Sequence, residues 1–309
     1  MAGGLTLWLA APERLQKLRR GAVPAVAVLF FLLFLFVTFP YETVGRRLQA
    51  EAQRAGADLS IGSIGGHGFF GVRARDVRLR PASSGNEPAP ELRFERVDVS
   101  PDLFAVLLRR TSFSFRLEAY GGSARGHAAF SKDPKVPGLE SLRLASTDLD
   151  LHALPLKELT GIDANGRASL QVDVSSLQPP ETAAGSLSLT GRQMTVTGGT
   201  VSGFALPRAA LGDVDVGVTL DRGLARVDRA QTRGGDVDAE ADGTVRLRAL
   251  LALSQADLHV RLHPSDRWLN ENALVKGALG LVQNARQPDG SYVFSFSGPL
   301  SRLTTRPGR

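Results

Sequence analysis

The chain has no cysteine among its 309 residues. That excludes a disulfide scaffold, an iron–sulfur cluster, cysteine-ligated zinc and any thiol nucleophile. Histidine is scarce at five residues, too few for a His-rich metal site. The sequence also lacks a G-x-S-x-G elbow, a P-loop and an H-E-x-x-H helix. It therefore names no catalytic, cofactor-binding or metal-binding residue, and a non-enzymatic protein is expected. An excess of charge is lacking too. The 37 basic and 31 acidic residues leave +6, and residues 1–20 supply +3 of it through Arg14, Lys17, Arg19 and Arg20 against Glu13. The remaining +3 is spread over the whole body, so nothing points to nucleic acid. With 43% hydrophobic and 22% charged residues, the chain is not disordered throughout.

One long apolar run is present. Gly21 to Phe39 carries no charge and contains thirteen Leu, Val or Phe residues. At 1.5 Å per residue it reaches about 28 Å as a helix, close to the hydrocarbon thickness of a bilayer. Insertion is worth roughly 4–8 kcal/mol on the biological scale. Pro24 falls in the first turn, where it does least harm. The run is longer than a signal-peptide core, and the nearest Ala-x-Ala site is Ala50-Glu51-Ala52. An uncleaved anchor at 21–40 is expected. The basic cluster before it places residues 1–20 in the cytoplasm and the remainder across the membrane, in a bacterium the periplasm.

Beyond the anchor, Tyr41–Ala55 reads as a short helix with Val44, Leu48 and Ala52 on one face, ended by Gly56. The period then changes to two. Apolar residues alternate with polar ones at Val77/Leu79, Phe113/Phe115, Leu149/Leu151, Val172/Val174, Val216/Val218 and Val260/Leu262. These pairs form the expected inward set. Ten of them (Phe113, Phe115, Leu149, Leu151, Val172, Val174, Val216, Val218, Val260 and Leu262) are candidate groove-lining residues. Turns are expected at Asn165-Gly166, Gly198-Gly199, Arg233-Gly234-Gly235, Asp242-Gly243 and Asp289-Gly290. Short helices are expected from Ser100-Pro101-Asp102 to Arg110, at Leu154–Leu159 and over Ser265–Gln283. Loops are expected at Pro81–Pro90 and Lys132–Gly138, and a loose tail at Thr304–Arg309.

The fold class that follows is mainly β: an N-terminal transmembrane helix, then a curved, mostly antiparallel sheet with a few short helices. The expected segments are 41–135 and 139–303 in the outer part, with 304–309 as tail. About fourteen strands with one apolar face each cannot be covered by so few helices. The sheet must close, pack on another sheet or leave an apolar trough.

Three constellations look like chemistry. Gly66-His67-Gly68-Phe69-Phe70-Gly71 matches G-x-G-x-x-G, but an alternating strand follows it where a dinucleotide site needs a helix. His259 and His263 sit on one strand, about 13 Å apart and too far for one metal. Asp213/Asp215 and Asp236/Asp238 are alternate residues on a strand's polar face.

Four stretches, taken in order, resemble a known family. They are the anchor and helix leading through Gly71–Arg80 and Glu91–Ser100 to SPDLFAVLLRR and Tyr120-Gly121-Gly122…Gly126; Leu159–Gly166; Gly185–Gly243, with Gly203-Phe204-Ala205-Leu206-Pro207; and Asp289-Gly290…Phe294-Ser295-Phe296-Ser297-Gly298-Pro299-Leu300. Their order is similar to the type II secretion system protein N (GspN) family, an AsmA-like group. The resemblance implies a single-pass inner-membrane protein with a periplasmic open β-groove, partnered with other secretion components and free of catalytic residues. By analogy with AsmA-like lipid carriers, phospholipid acyl chains are a candidate occupant of the groove.

Overall fold

The computed structural model describes residues 41–54, 56–68, 70–81, 90–102, 105, 111–131, 138–177, 179–201, 204–250 and 253–308. The expected anchor and the loop cores at 82–89 and 132–137 lie outside the described residues. Among the described residues no helix is long and apolar enough to cross a membrane.

The first described element is helix α1 (Tyr41–Arg54). Its end is a Schellman motif: Gly56, at φ 80°, donates to the Gln53 carbonyl, and Ala57 donates to the Ala52 carbonyl. Thereafter one sheet of sixteen strands takes in nearly everything. Its strands are β1 (Asp58–His67), β2 (Gly71–Arg80), β3 (Leu92–Pro101), β4 (Thr111–Ala119), β5 (Gly122–Phe130), β6 (Leu139–Thr147), β7 (Leu149–Asp150), β8 (Ile162–Ser175), β9 (Ala184–Val201), β10 (Phe204–Ala205), β11 (Ala209–Asp221), β12 (Leu224–Arg233), β13 (Val237–Arg246), β14 (Gln255–Pro264), β15 (Tyr292–Pro299) and β16 (Thr304–Pro307). Every pairing is antiparallel between chain neighbours, apart from the short β7 and β10, which pair onto β8 and β9. The path opens at β1 and ends at β16 without closing. Fourteen strands at about 4.8 Å each make it roughly 60 Å wide.

Local chemistry explains the tight connections. Tyr120-Gly121 and Arg222-Gly223 are two-residue hairpin loops in which both residues have positive φ (55° and 68°, 45° and 73°). That is the type I′ geometry whose twist matches the strands. The remaining helices are small. Helix α2 (Leu156–Thr160) is stopped by Gly161 in the left-handed conformation. Helix α3 (Asp266–Glu271) is capped by Ser265, whose Oγ accepts from the Trp268 amide, and the buried Trp268 indole donates to the Arg208 carbonyl at 2.8 Å. Helix α4 (Ala273–Leu281) buries none of its residues, and Leu274 is 91% exposed.

Several expectations need correction. Asn165-Gly166, Gly198-Gly199 and Asp242-Gly243 are not turns; they lie inside β8, β9 and β13. Gly166, Gly199 and Gly243 have φ near 130°, and bulges interrupt the β8–β9 register at 163–164 and 165–167. The glycines there serve close backbone approach, a role that looks like a turn signal in sequence. Ser100 and Pro101 extend β3 against Ser114 and Phe113, because proline is tolerated at a strand's last residue. The helix expected to follow lies mostly outside the described residues; the Asp102 carboxylate accepts from the Ala105 amide at 3.3 Å. The helix over 265–283 breaks at Asn272 into α3 and α4. The expected tail is strand β16, held to β15 by pairs such as Phe296 with Thr305.

Among the described residues the sheet buries few large apolar side chains. Its buried apolar residues are mostly alanines, such as Ala74, Ala119, Ala168, Ala183 and Ala256, with Val77, Trp268 and Tyr292. Among the described residues the largest side chains under 2% exposed are two serines, Ser254 and Ser291. One layer of sheet therefore carries the fold, and its faces remain partly open.

Candidate functional site: the apolar face

Paired residues on antiparallel neighbours point their side chains to the same face, so the register gives the composition of each face. One row runs Val72, Val99, Phe115, Gly126, Leu144, Val172, Leu187, Val218, Val227, Gly243, Leu258, Phe296. It crosses the sheet from β2 to β15 without one polar side chain. The next row runs Pro101, Phe113, Ala128, Leu142, Val174, Gly185, Leu220, Ala225, Val245, Ala256, Gly298, and it too is wholly apolar. The large side chains of both rows are neither buried nor fully exposed. Each is partly shielded and partly open to solvent among the described residues.

The candidate groove residues fall into this frame. Phe115, Val172 and Val218 share the first row, and Phe113 and Val174 the second. Val216 pairs with Leu189, which pairs with Leu170. Val260 and Leu262 continue the face from Leu258 along β14, and Leu149 joins it opposite Ala168. Leu151 lies just past β7 in a turn. Val77 and Leu79 alternate out of phase with Ala74 on the same strand; Asp76, at φ 52°, separates the two phases. The pattern pairs leave out Leu142, Leu144, Leu187 and Val227, which share this face. Leu187 and Leu189 stand in the plainly alternating Ser186–Thr190, so the signal for them was present.

Two glycines let the row pack tightly. A Cβ on Gly126 would stand 2.5 Å from Phe115 Cζ, so that ring lies across the glycine. At Gly243 a Cβ would come 2.2 Å from the Asp257 carbonyl. No titratable group enters either row, so these rows can shed water from apolar matter.

The opposite face is polar and charged. Asp98 is buried there, and Arg73 binds it through two hydrogen bonds, Nε to Oδ1 at 2.6 Å and Nη2 to Oδ2 at 2.9 Å. Arg73 Nη2 also donates to His67 Nδ1 at 2.7 Å. The Arg73 hydrogen bonds hold the Asp98 carboxyl below its ordinary range, against the opposing effect of burial. The glycine-rich stretch Gly66–Gly71 is the hairpin between β1 and β2, followed by a strand. His259 and His263 lie on β14, where His259 Nδ1 is 3.0 Å from Ser295 Oγ. Among the described residues no group of three His, Asp or Glu side chains is arranged to hold a metal.

No family model, curated protein or solved structure matches the chain.

Proposed function

We propose that this protein is a non-enzymatic, membrane-anchored β-domain whose apolar face shields lipid acyl chains. The observation that carries this reading is the unbroken row from Val72 to Phe296. Soluble monomers rarely expose apolar patches beyond a few hundred Å² unless a partner or ligand covers them. A face one sheet wide, lined by Val, Leu and Phe and free of charge, suits flexible hydrocarbon, which needs no hydrogen bonds. Curling the open sheet about that face would make it a groove like that of the AsmA-like carriers. The anchor at 21–40 would tether it to the inner membrane, with the sheet in the periplasm. A reporter active only in the periplasm, fused after Arg309, tests that placement, and an inactive fusion overturns it.

A second reading makes the same domain a component of the type II secretion system, with the apolar face docked on another secretion protein. It is favoured by the order of anchor, helix, strands and glycine stretches in the sequence. One experiment separates the two. The full chain is extracted in mild detergent, and the material that travels with it is identified by lipid extraction and mass spectrometry. Stoichiometric phospholipid supports the carrier. A lipid-free protein bound to another envelope protein through this face supports the secretion component and removes the carrier.

A further inference from the structure

We propose that the polar face carries a binding site for a phosphate group, built on Arg116 and Arg125. These two arginines are directly paired across β4 and β5. Paired residues have Cβ atoms about 5 Å apart, and like charges so placed repel. A fold that only needed solubility would put an acid in one of the two positions. The acids nearest them are engaged by other arginines, including Asp98, which stands opposite Arg116 on β3. Asp98 is bound by Arg73, Glu118 by Arg96 at 2.9 Å, and Asp173 by Arg143 at 3.2 Å. Neither Arg116 nor Arg125 has a hydrogen-bond or ion-pair partner among the described residues.

Both arginines line a concavity of about 730 Å³. Its other walls bring His67, His127, Gln171, Ser186 and Ser188, with Arg143 and the acids Asp98 and Asp173, each acid already paired to an arginine. Guanidinium forks match the geometry of a phosphate and keep their charge at any physiological pH. Two of them suit a dianion, where one would suffice for a carboxylate. The volume exceeds that of a bare ion, leaving room for a hydroxyl-bearing group attached to it. A second concavity on this face, about 980 Å³, shows what the site is not. There Arg167 faces Arg192, but Asp148, Asp150 and Asp213 share the wall, so positive charge is not in excess.

The register turns Arg116 and Arg125 to the face opposite the apolar rows, although Phe115, Gly126, Leu144 and Val172 also border the concavity, and the proposal does not depend on the acyl-chain reading. It is tested by calorimetric titration of the full chain in nonionic detergent. The probes are inorganic phosphate and glycerol 3-phosphate, with chloride at matched ionic strength as control. Saturable binding of phosphate is expected, weakened about tenfold or more in Arg116→Gln/Arg125→Gln. Arg116→Glu, which sets an acid opposite Arg125, should also lose binding while melting no earlier than the wild type. Tighter binding of glycerol 3-phosphate assigns the site to a lipid headgroup or similar ester, and equal binding assigns it to free phosphate. If neither probe binds beyond chloride, or if binding survives in both variants, the proposal is overturned.

Discussion

Arg73 grips Asp98 with two parallel hydrogen bonds on a sheet face where Asp98 is only 5% exposed. The pair ties β2 to β3, and its charge makes that tie depend on pH. Asp98 binds its proton less readily in the folded chain than at its ordinary value of 3.8. The unfolded chain therefore takes up the proton first as pH falls. The stabilisation is complete above 3.8 and is lost as pH drops through the lowered folded value. Glu91 and Asp289 are shifted the same way by their own partners, Arg93 and Ser291. Comparing thermal melts of wild type and Asp98→Asn across the acid range isolates the Asp98 part. Asp98→Asn should melt earlier at neutral pH, with the gap closing as the pH falls below 3.8. A gap that stays constant with pH would show that the charge contributes nothing. Asp98→Ala, which strands the guanidinium, should cost about 2 kcal/mol at neutral pH.

A second expectation concerns what an added charge does at two depths. Val218 is partly exposed on the apolar face, whereas Ala183 is fully buried under a backbone hydrogen bond from Gly223. Ala183→Asp should prevent folding, since an unpaired buried carboxylate costs several kcal/mol. Val218→Asp should leave the circular dichroism spectrum of a β-sheet intact, with a loss of about 1 kcal/mol, and should strip bound lipid. Unfolding of Val218→Asp would mean that the face is sealed.

The glycines divide into two kinds, and substitution should tell them apart. Gly243 has φ 135° and faces the Asp257 carbonyl at a distance no Cβ tolerates. Gly243→Ala should cost about 3 kcal/mol, from backbone strain and displacement of β14. Gly277 lies inside the exposed helix α4 with nothing within 4 Å of a Cβ. Gly277→Ala should stabilise by up to about 1 kcal/mol. Chemical denaturation of both variants checks the contrast. Equal effects would count against the close approach at Gly243.

Much of this fold was legible in the chain because alternation survives in a one-layer sheet. Phe113–Leu117 and Val214–Leu220 declare their apolar face residue by residue, and β4 and β11 lie where that pattern puts them. In-strand glycines misled, since Asn-Gly and Asp-Gly have the same letters whether they reverse the chain or let two backbones approach. That choice is made by the partner strand, as at Gly199, where a Cβ would meet the Gly161 carbonyl at 2.3 Å. The tail was misread because Thr304–Pro307 has too few residues to show a period. The arginine pair was hidden for a related reason. Arg116 and Arg125 each look like an ordinary outward residue, and only the register makes them face each other.

The sharpest separation of carrier from secretion partner uses neighbours on one strand. Val172 lies on the apolar row and Gln171 on the opposite face, one residue apart on β8. A photo-crosslinking amino acid at either position keeps the same local backbone. If acyl chains lie along the face, irradiation in membranes should label lipid from position 172 and not from 171. The row is continuous, so the same label at Leu187 and Leu258 should capture lipid as well, on strands far apart in the sheet. Lipid captured equally from both faces would mean adventitious contact with the bilayer. A single discrete protein captured from 172, 187 and 258, with no lipid, would instead identify the apolar face as a docking surface within the envelope.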